Sequence, residues 1–200
     1  MKLIVGVVLL SVVTHGVCTD QTEIITNEQT LMKSNLVAIL PKLGKTFYIY
    51  FKIKLNSFSH GYRSVIHLTL GEDNVKYGDR IPGIWIYEEK LVLAFAISGN
   101  KNEYFFSKPL SLNQWIPVII TQQSHPLKPI FEVYINHELV FEKENLNQKE
   151  FTNINVYAGD PWYEVQDGSI KDFFVYNYPV ETKKSLKKDS IQKKMFGLKF

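Results

Sequence analysis

Cysteine is almost absent from this 200-residue chain: Cys18 stands alone, so no disulfide can form within it. A fold without such staples must be held by its own core, and 200 residues with 45% hydrophobic content can supply one. Other absences exclude classes of function. No Asn-x-Ser/Thr sequon occurs, so no N-glycan is expected. No Gly-x-Ser-x-Gly elbow is present, and the five histidines, His15, His60, His67, His125 and His137, include no pair at metal-ligand spacing. The net charge of +3 is set by residues 181–200, which carry seven Lys against Glu181 and Asp189; residues 1–180 sum to −2. A nucleic-acid binder needs its positive charge on a folded face, which this balance does not provide, so no nucleic-acid partner is expected.

The N-terminus has one cation, Lys2, then an apolar run from Leu3 to Val13, then small or polar residues at Thr14, Gly16, Cys18 and Thr19. That is the anatomy of a secretory signal peptide over residues 1–18, cut after Gly16 or Cys18, and it predicts a secreted, extracellular protein. The run falls short of the roughly 20 apolar residues that cross a bilayer, and no other segment approaches that length, so no transmembrane segment is expected. The tail, residues 181–200, interleaves Lys-Lys pairs at 183, 187 and 193 with Leu186, Ile191, Met195 and Phe196. It reads as a solvated, partly helical basic extension that is also suited to contact an anionic surface.

Between Thr46 and Tyr178 short runs rich in β-branched and aromatic residues alternate with turn signals. Strands are expected at Phe47–Leu55, Ser64–Leu70, Gly83–Tyr87, Lys90–Ile97, Glu103–Phe106, Trp115–Gln122, Pro129–Ile135, His137–Glu142, Asn153–Ala158 and Ile170–Tyr176. A further one falls at Glu23–Ile25 or Leu36–Leu40, at a sheet edge beside the last strand. Tight turns are expected at Glu88-Glu89, Asn136-His137 and Ser98–Asn102. Pro117 argues for a strand end or bulge at that point, and Trp115 for a place in the core. The fold class that follows is all-β, a two-sheet antiparallel sandwich over residues 19–180.

Four segments sharpen this. Tyr77–Ile86, Trp115–Ile120, Phe131–Val140 and the closing run Val156–Ile170, with Gly159-Asp160-Pro161-Trp162-Tyr163 and Asp167-Gly168-Ser169, resemble the concanavalin A-like jelly roll in its laminin G-like and pentraxin-like secreted forms. The resemblance spans roughly Thr46 to Tyr178 and implies a jelly-roll sandwich. That fold hosts lectins, glycosidases and adhesion modules alike, so it fixes no function.

Glycosidases of this class carry two carboxylates on one strand in a pattern like Glu-x-Asp-x-x-Glu, which is missing here, so catalysis is not expected. Calcium is the cofactor to test, with Asp160 and Asp167 as ligands and Glu72, Asp73 and Asp79 contributing if their loops share a rim. The alternative is that Asp160-Pro161 and Asp167-Gly168 are turn residues that cap their own backbone. Trp162 and Tyr163, with Tyr62 and Tyr77 as lesser partners, are expected to stack a sugar, unless Trp162 folds back to seal the sandwich end. Trp85 is expected to be packed.

The reading is a secreted, non-catalytic, lectin-like or adhesion-type module for a glycan or an extracellular protein. A structural component of an extracellular matrix or mineralised material, or a venom component, is the alternative.

Overall fold

The computed structural model describes residues 20–124 and 128–178. The expected signal segment, the basic tail and His125 lie outside the described residues. Fourteen strands are formed: β1 (Asp20–Ile25), β2 (Gln29–Thr30), β3 (Leu36–Leu43), β4 (Phe47–Leu55), β5 (Tyr62–Thr69), β6 (Gly83–Tyr87), β7 (Lys90–Ile97), β8 (Asn100–Pro109), β9 (Trp115–Gln123), β10 (Ile130–Ile135), β11 (Glu138–Glu144), β12 (Phe151–Tyr157), β13 (Glu164–Val165) and β14 (Gly168–Asn177).

They make two sheets. The first runs β1-β14-β4-β9-β10-β11 with β2 against β14. The second runs β3-β12-β5-β6-β7-β8 with β13 against β5, the one parallel pair among the described residues. The sandwich is otherwise antiparallel.

Period-two alternation explains the layering. In β4, Phe47, Ile49, Phe51, Ile53 and Leu55 are buried while Tyr48, Tyr50, Lys52 and Lys54 are half-exposed on the other face. Phe51 meets Phe173 of β14 edge-on at 5.9 Å, and Phe95 of β7 reaches across to Phe131 of β10 at 4.5 Å. The two-residue turn after β10 has both φ angles positive, 52° at Asn136 and 67° at His137, as the twist of a tight hairpin demands.

β4, β6 and β7 coincide residue for residue with the expected strands, and the remaining ones agree within a few residues. Both placements considered for the first strand are strands. β1 lies at the edge beside β14, and Leu36–Leu40 belongs to β3 in the other sheet.

Two expectations are corrected. Pro117 sits inside β9, paired with Lys52 of β4, and is neither a strand end nor a bulge. Its carbonyl accepts the amide of Asn136, where β10 has already entered its turn, so the missing N–H faces a place where the ladder has stopped. Trp115 is not in the core: its register partner is Lys54 on the outer face, and the ammonium groups of Lys54 and Lys171 lie 4.8 and 4.2 Å from its ring. Ile116, the next residue, takes the inward place.

Fully buried Phe51 and largely exposed Leu146, 77% accessible, set the scale of the core. Phe51→Ala is expected to cost about 3–5 kcal/mol in urea unfolding, against at most about 0.5 kcal/mol for Leu146→Ala. Equal losses would contradict this layering.

Candidate functional site

The outer face of the second sheet carries the site. Ile84 and Ile86 of β6 belong to the core, so Trp85 between them points away from it; the same parity turns His67 outward between Ile66 and Leu68. Both outward side chains are nevertheless inaccessible, Trp85 at 1% and His67 at 0%. Two loops, residues 70–82 and 158–163, fold over this face and bury them.

The first loop is cross-braced. Asp79 Oδ2 accepts the amides of Val75 and Lys76 at 2.8 and 2.7 Å, and Ile81 N donates to Leu68 O at 2.9 Å. The second is seated by the amide of Gly159 on Val65 O, 3.0 Å, and of Asp160 on Ser64 Oγ, 2.9 Å. Gly159 has φ +96°, and a Cβ there would lie 2.2 Å from the Met32 carbonyl oxygen, so only glycine fits this close approach.

His67 clasps the two loops together. Its Nε2 lies 2.7 Å from the Asp79 carbonyl oxygen and its Nδ1 lies 3.1 Å from Asp160 Oδ2. A carbonyl only accepts, so Nε2 carries a proton. Asp160 Oδ1 accepts the amides of Trp162 and Tyr163 at 3.0 and 2.8 Å. Burial by itself pushes the Asp160 carboxyl up, but the hydrogen bonds from His67 and the Tyr163 amide outweigh it and hold the group below the usual aspartate range. Trp162 covers the histidine, its ring 5.0 Å from the imidazole and 6.0 Å from Tyr157.

Beside this clasp is a recess of about 140 Å3 lined by Tyr62, Arg80, Trp85, Tyr104 and Tyr163. Trp85 lies flat because Gly83 has no side chain: a Cβ there would sit 2.1 Å from the indole Cη2. The Arg80 guanidinium stacks 4.7 Å above Trp85, and Tyr163 meets Trp85 edge-on at 5.4 Å. Tyr62 stands 6.3 Å from Tyr163 and 4.7 Å from Tyr87.

Arg80 is fully engaged. Its Nε and Nη2 donate to Asp73 Oδ1, at 3.3 and 2.8 Å, Nη2 also to the Tyr163 hydroxyl at 3.1 Å, and Nη1 to Asn102 Oδ1 at 3.4 Å and to the Tyr104 hydroxyl. Burial works against its charge, but the pairing with Asp73 overrides that and keeps it protonated. Burial, then the Asp73 carboxylate, raises the Tyr163 phenol, so the hydroxyl keeps its proton and donates it to Asp73 Oδ2 at 3.2 Å. The buried Trp85 Nε1–H has no partner within the protein.

Tyr62 and Tyr163, named from the sequence, thus meet in one recess, with Trp162 behind it on the histidine. Tyr77 is elsewhere: its ring stacks on Phe151 at 6.1 Å and its hydroxyl donates to the Ala96 carbonyl at 2.9 Å, so it braces the first loop. The aspartates expected to hold calcium are turn residues instead. Both oxygens of Asp160 are occupied within the protein, and Asp167 accepts from Asn56 Nδ2 at 3.0 Å and Ser57 Oγ at 2.7 Å. Asp73 is taken by Arg80, and Asp79 gives Oδ2 to its own loop while its buried Oδ1 has no partner among the described residues. Among the described residues no group of three or more His, Cys, Asp or Glu side chains could hold a metal, so this donor set does not fit the ion.

Sequence reasoning missed Arg80 and Tyr104, and it took Trp85 as packed without seeing that it floors a recess. The signal was available in the parity of Gly83–Tyr87: a Trp between two core isoleucines must face the other way.

No family model matches the sequence, and no curated protein matches it. Similar solved structures include the receptor-binding domain of botulinum neurotoxin type G, at 13% identity and TM-score 0.49, covering 83% of this chain and 44% of that one. Domain 4 of AbnA, a GH43 extracellular arabinanase from Geobacillus stearothermophilus in complex with arabinotriose, is 13% identical with TM-score 0.47, covering 70% and 66%. A Trypanosoma rangeli sialidase is 12% identical with TM-score 0.48, covering 68% and 21%. This chain therefore spans less than half of the first of these proteins. At such distances the likeness concerns the sandwich and carries nothing about ligands. Fold and site together define a two-sheet antiparallel β-sandwich with an aromatic recess on the outer face of one sheet.

Because the Asp160 carboxyl is held below its unfolded value, its contribution is complete above the unfolded pKa of about 3.9 and is lost as pH falls from there through the folded one. Asp160→Ala is expected to cost about 3–5 kcal/mol at pH 7, and the gap to the native protein should narrow below about pH 4. Urea unfolding across pH 3–7 measures this; a gap independent of pH would contradict the assignment.

Proposed function

We propose that this protein is a secreted, non-catalytic carbohydrate-binding module that holds one uncharged sugar unit in the recess between Tyr62, Trp85, Tyr104 and Tyr163. The observation that carries the reading is the Trp85 indole: a donor-only N–H, buried and unpartnered, on a side chain that floors an aromatic-walled recess. A buried N–H without an acceptor costs on the order of 1–3 kcal/mol, and a ligand oxygen brought to it, with the ring walls parting to admit it, would recover that. The Tyr104 hydroxyl accepts from Arg80, so its own proton is a second donor for the ligand.

Ring walls favour the apolar C–H faces of a pyranose, and donors favour its hydroxyl or ring oxygens. The ligand is uncharged because Asp73 neutralises Arg80 and every guanidinium N–H already has an acceptor in the protein. An acidic sugar would find no free N–H on Arg80 and would face the Asp73 carboxylate. The recess is smaller than the roughly 300–1,000 Å3 of sites for drug-sized ligands, which suits a single unit of a longer glycan.

A glycan array probed with the purified protein, first with calcium and then with chelator, is expected to show binding to neutral oligosaccharides that is indifferent to chelation. Tyr62, 39% exposed, can be truncated without opening the core. Tyr62→Ala should weaken binding about tenfold, roughly 1.4 kcal/mol, while the melting temperature stays put. Trp85→Phe keeps the ring and removes the N–H, and should weaken binding as well. Binding to no glycan in either condition would overturn the proposal, and binding that disappears with chelator would overturn the site.

A further inference from the structure

The recess continues into a second platform on the same face of the sheet, and we infer that the next sugar unit of the same glycan stacks there on Phe106. The inference rests on the carbohydrate reading of the recess and extends it from one unit to a chain. Among the described residues three aromatic side chains are exposed, Tyr62 at 39%, Tyr104 at 45% and Phe106 at 48%. The first two line the recess, and Phe106 stands beside it on the outer face of β8.

Register fixes its position. Leu93 of β7 and Phe105 of β8 are partners on the core side, so the next pair, Val92 and Phe106, faces outward. Val92 is also the partner of Trp85 in β6, and Trp85, Val92 and Phe106 therefore form one row across three strands. Neighbouring strands lie about 4.8 Å apart, which sets Phe106 about 10 Å from Trp85 along that row. Val92 between them has no exposed surface, so the floor is closed and apolar. Tyr104, two residues before Phe106 and on the same side of β8, connects the recess wall to the platform. The register shifts of this strand pair fall at Lys90/Val92 and Phe95/Ile97, and the stretch from Val92 to Phe95 between them is regular.

The platform has the chemistry of a sugar subsite. Phe106 makes no ring contact among the described residues, so its face is free for the C–H groups of a pyranose. Alongside runs a row of polar tips: Tyr62, Tyr87 and Lys90 are partners across β5, β6 and β7. Neither the two hydroxyls nor the ammonium has a hydrogen-bond partner among the described residues, which leaves them for sugar oxygens. Glu88 and Glu89 flank Lys90 in the turn, so this corner carries no net positive charge to draw an anion. Arg80 and Tyr163 arrive from the two loops and wall the recess on their sides. A chain seated in it leaves over the bare sheet, toward β7 and β8.

Isothermal titration of the full chain with glucose, galactose, mannose and N-acetylglucosamine, each as monomer, dimer and trimer, tests the second subsite. For the sugar that binds, the native protein should hold the dimer about tenfold more tightly than the monomer, roughly 1.4 kcal/mol. Phe106→Ala should lose that gain and keep the native affinity for the monomer, whereas Phe106→Tyr, which retains the ring, should keep the gain. Phe106→Leu serves if the alanine variant does not fold. Native affinity that is the same for monomer, dimer and trimer overturns the subsite and leaves the recess standing. So does a gain that survives in Phe106→Ala, or a loss in that variant that is equal for monomer and dimer. No binding of any of these sugars at any length overturns the carbohydrate reading and the subsite with it.

Discussion

The Asp160 carboxylate is the interaction on which the site depends. It is inaccessible to solvent, yet it has three hydrogen-bond partners: two successive backbone amides and one imidazole nitrogen. Through the amides it sets the direction of the chain at Trp162 and Tyr163. Through His67, whose other nitrogen holds the Asp79 carbonyl, it reaches the loop that carries Arg80. Burying a charge is costly unless it is paired and hydrogen-bonded, and for Asp160 that demand couples two loops that are far apart in sequence. Tyr163 and Arg80 therefore arrive at the recess from different loops with their relative placement fixed by a group that does not itself line it.

The two faces of the second sheet have separate duties. Inward, the aliphatic residues of β5, β6 and β7 join the core, and the energy of the sandwich resides there. Outward, the same strands present His67, Trp85 and the small residues Gly83 and Ala94. Gly83 makes room for the indole, and the indole makes a bed for the Arg80 guanidinium. Because the core side is complete without them, the outer residues were free to form a recess with an unmatched donor. In the first sheet the corresponding face carries Lys54 and Lys171 over Trp115 and the Lys52–Asp172 pair at 3.0 Å, a partly solvated covering.

The sandwich was largely legible in the sequence because alternation and turn chemistry are local. Phe47–Leu55, Gly83–Tyr87 and Lys90–Ile97 announce themselves by pattern, and Asn136-His137 by its tolerance of positive φ. What misled was also local. Pro117 argues against a ladder position only if its N–H side is paired, and Trp115 reads as core only until its partner across the ladder proves to be Lys54. The carboxylates of the closing loop pointed to a cation because their spacing is visible, whereas the acceptor geometry that consumes Asp160 depends on His67, 93 residues earlier. The recess was half legible: Tyr62 and Tyr163 stood out as aromatic residues at strand ends and turns, but Arg80 and Tyr104 join them only through the pairing of β6, β7 and β8.

The claim that the recess receives the ligand is tested most directly by following the indole N–H resonance of Trp85 in a ¹H–¹⁵N spectrum during titration with a neutral oligosaccharide. The account predicts that this resonance moves progressively to a hydrogen-bonded position while the indoles of Trp115 and Trp162 shift little. A Trp85 resonance that stays in place while the protein demonstrably binds, or a response centred on Trp115, would contradict it.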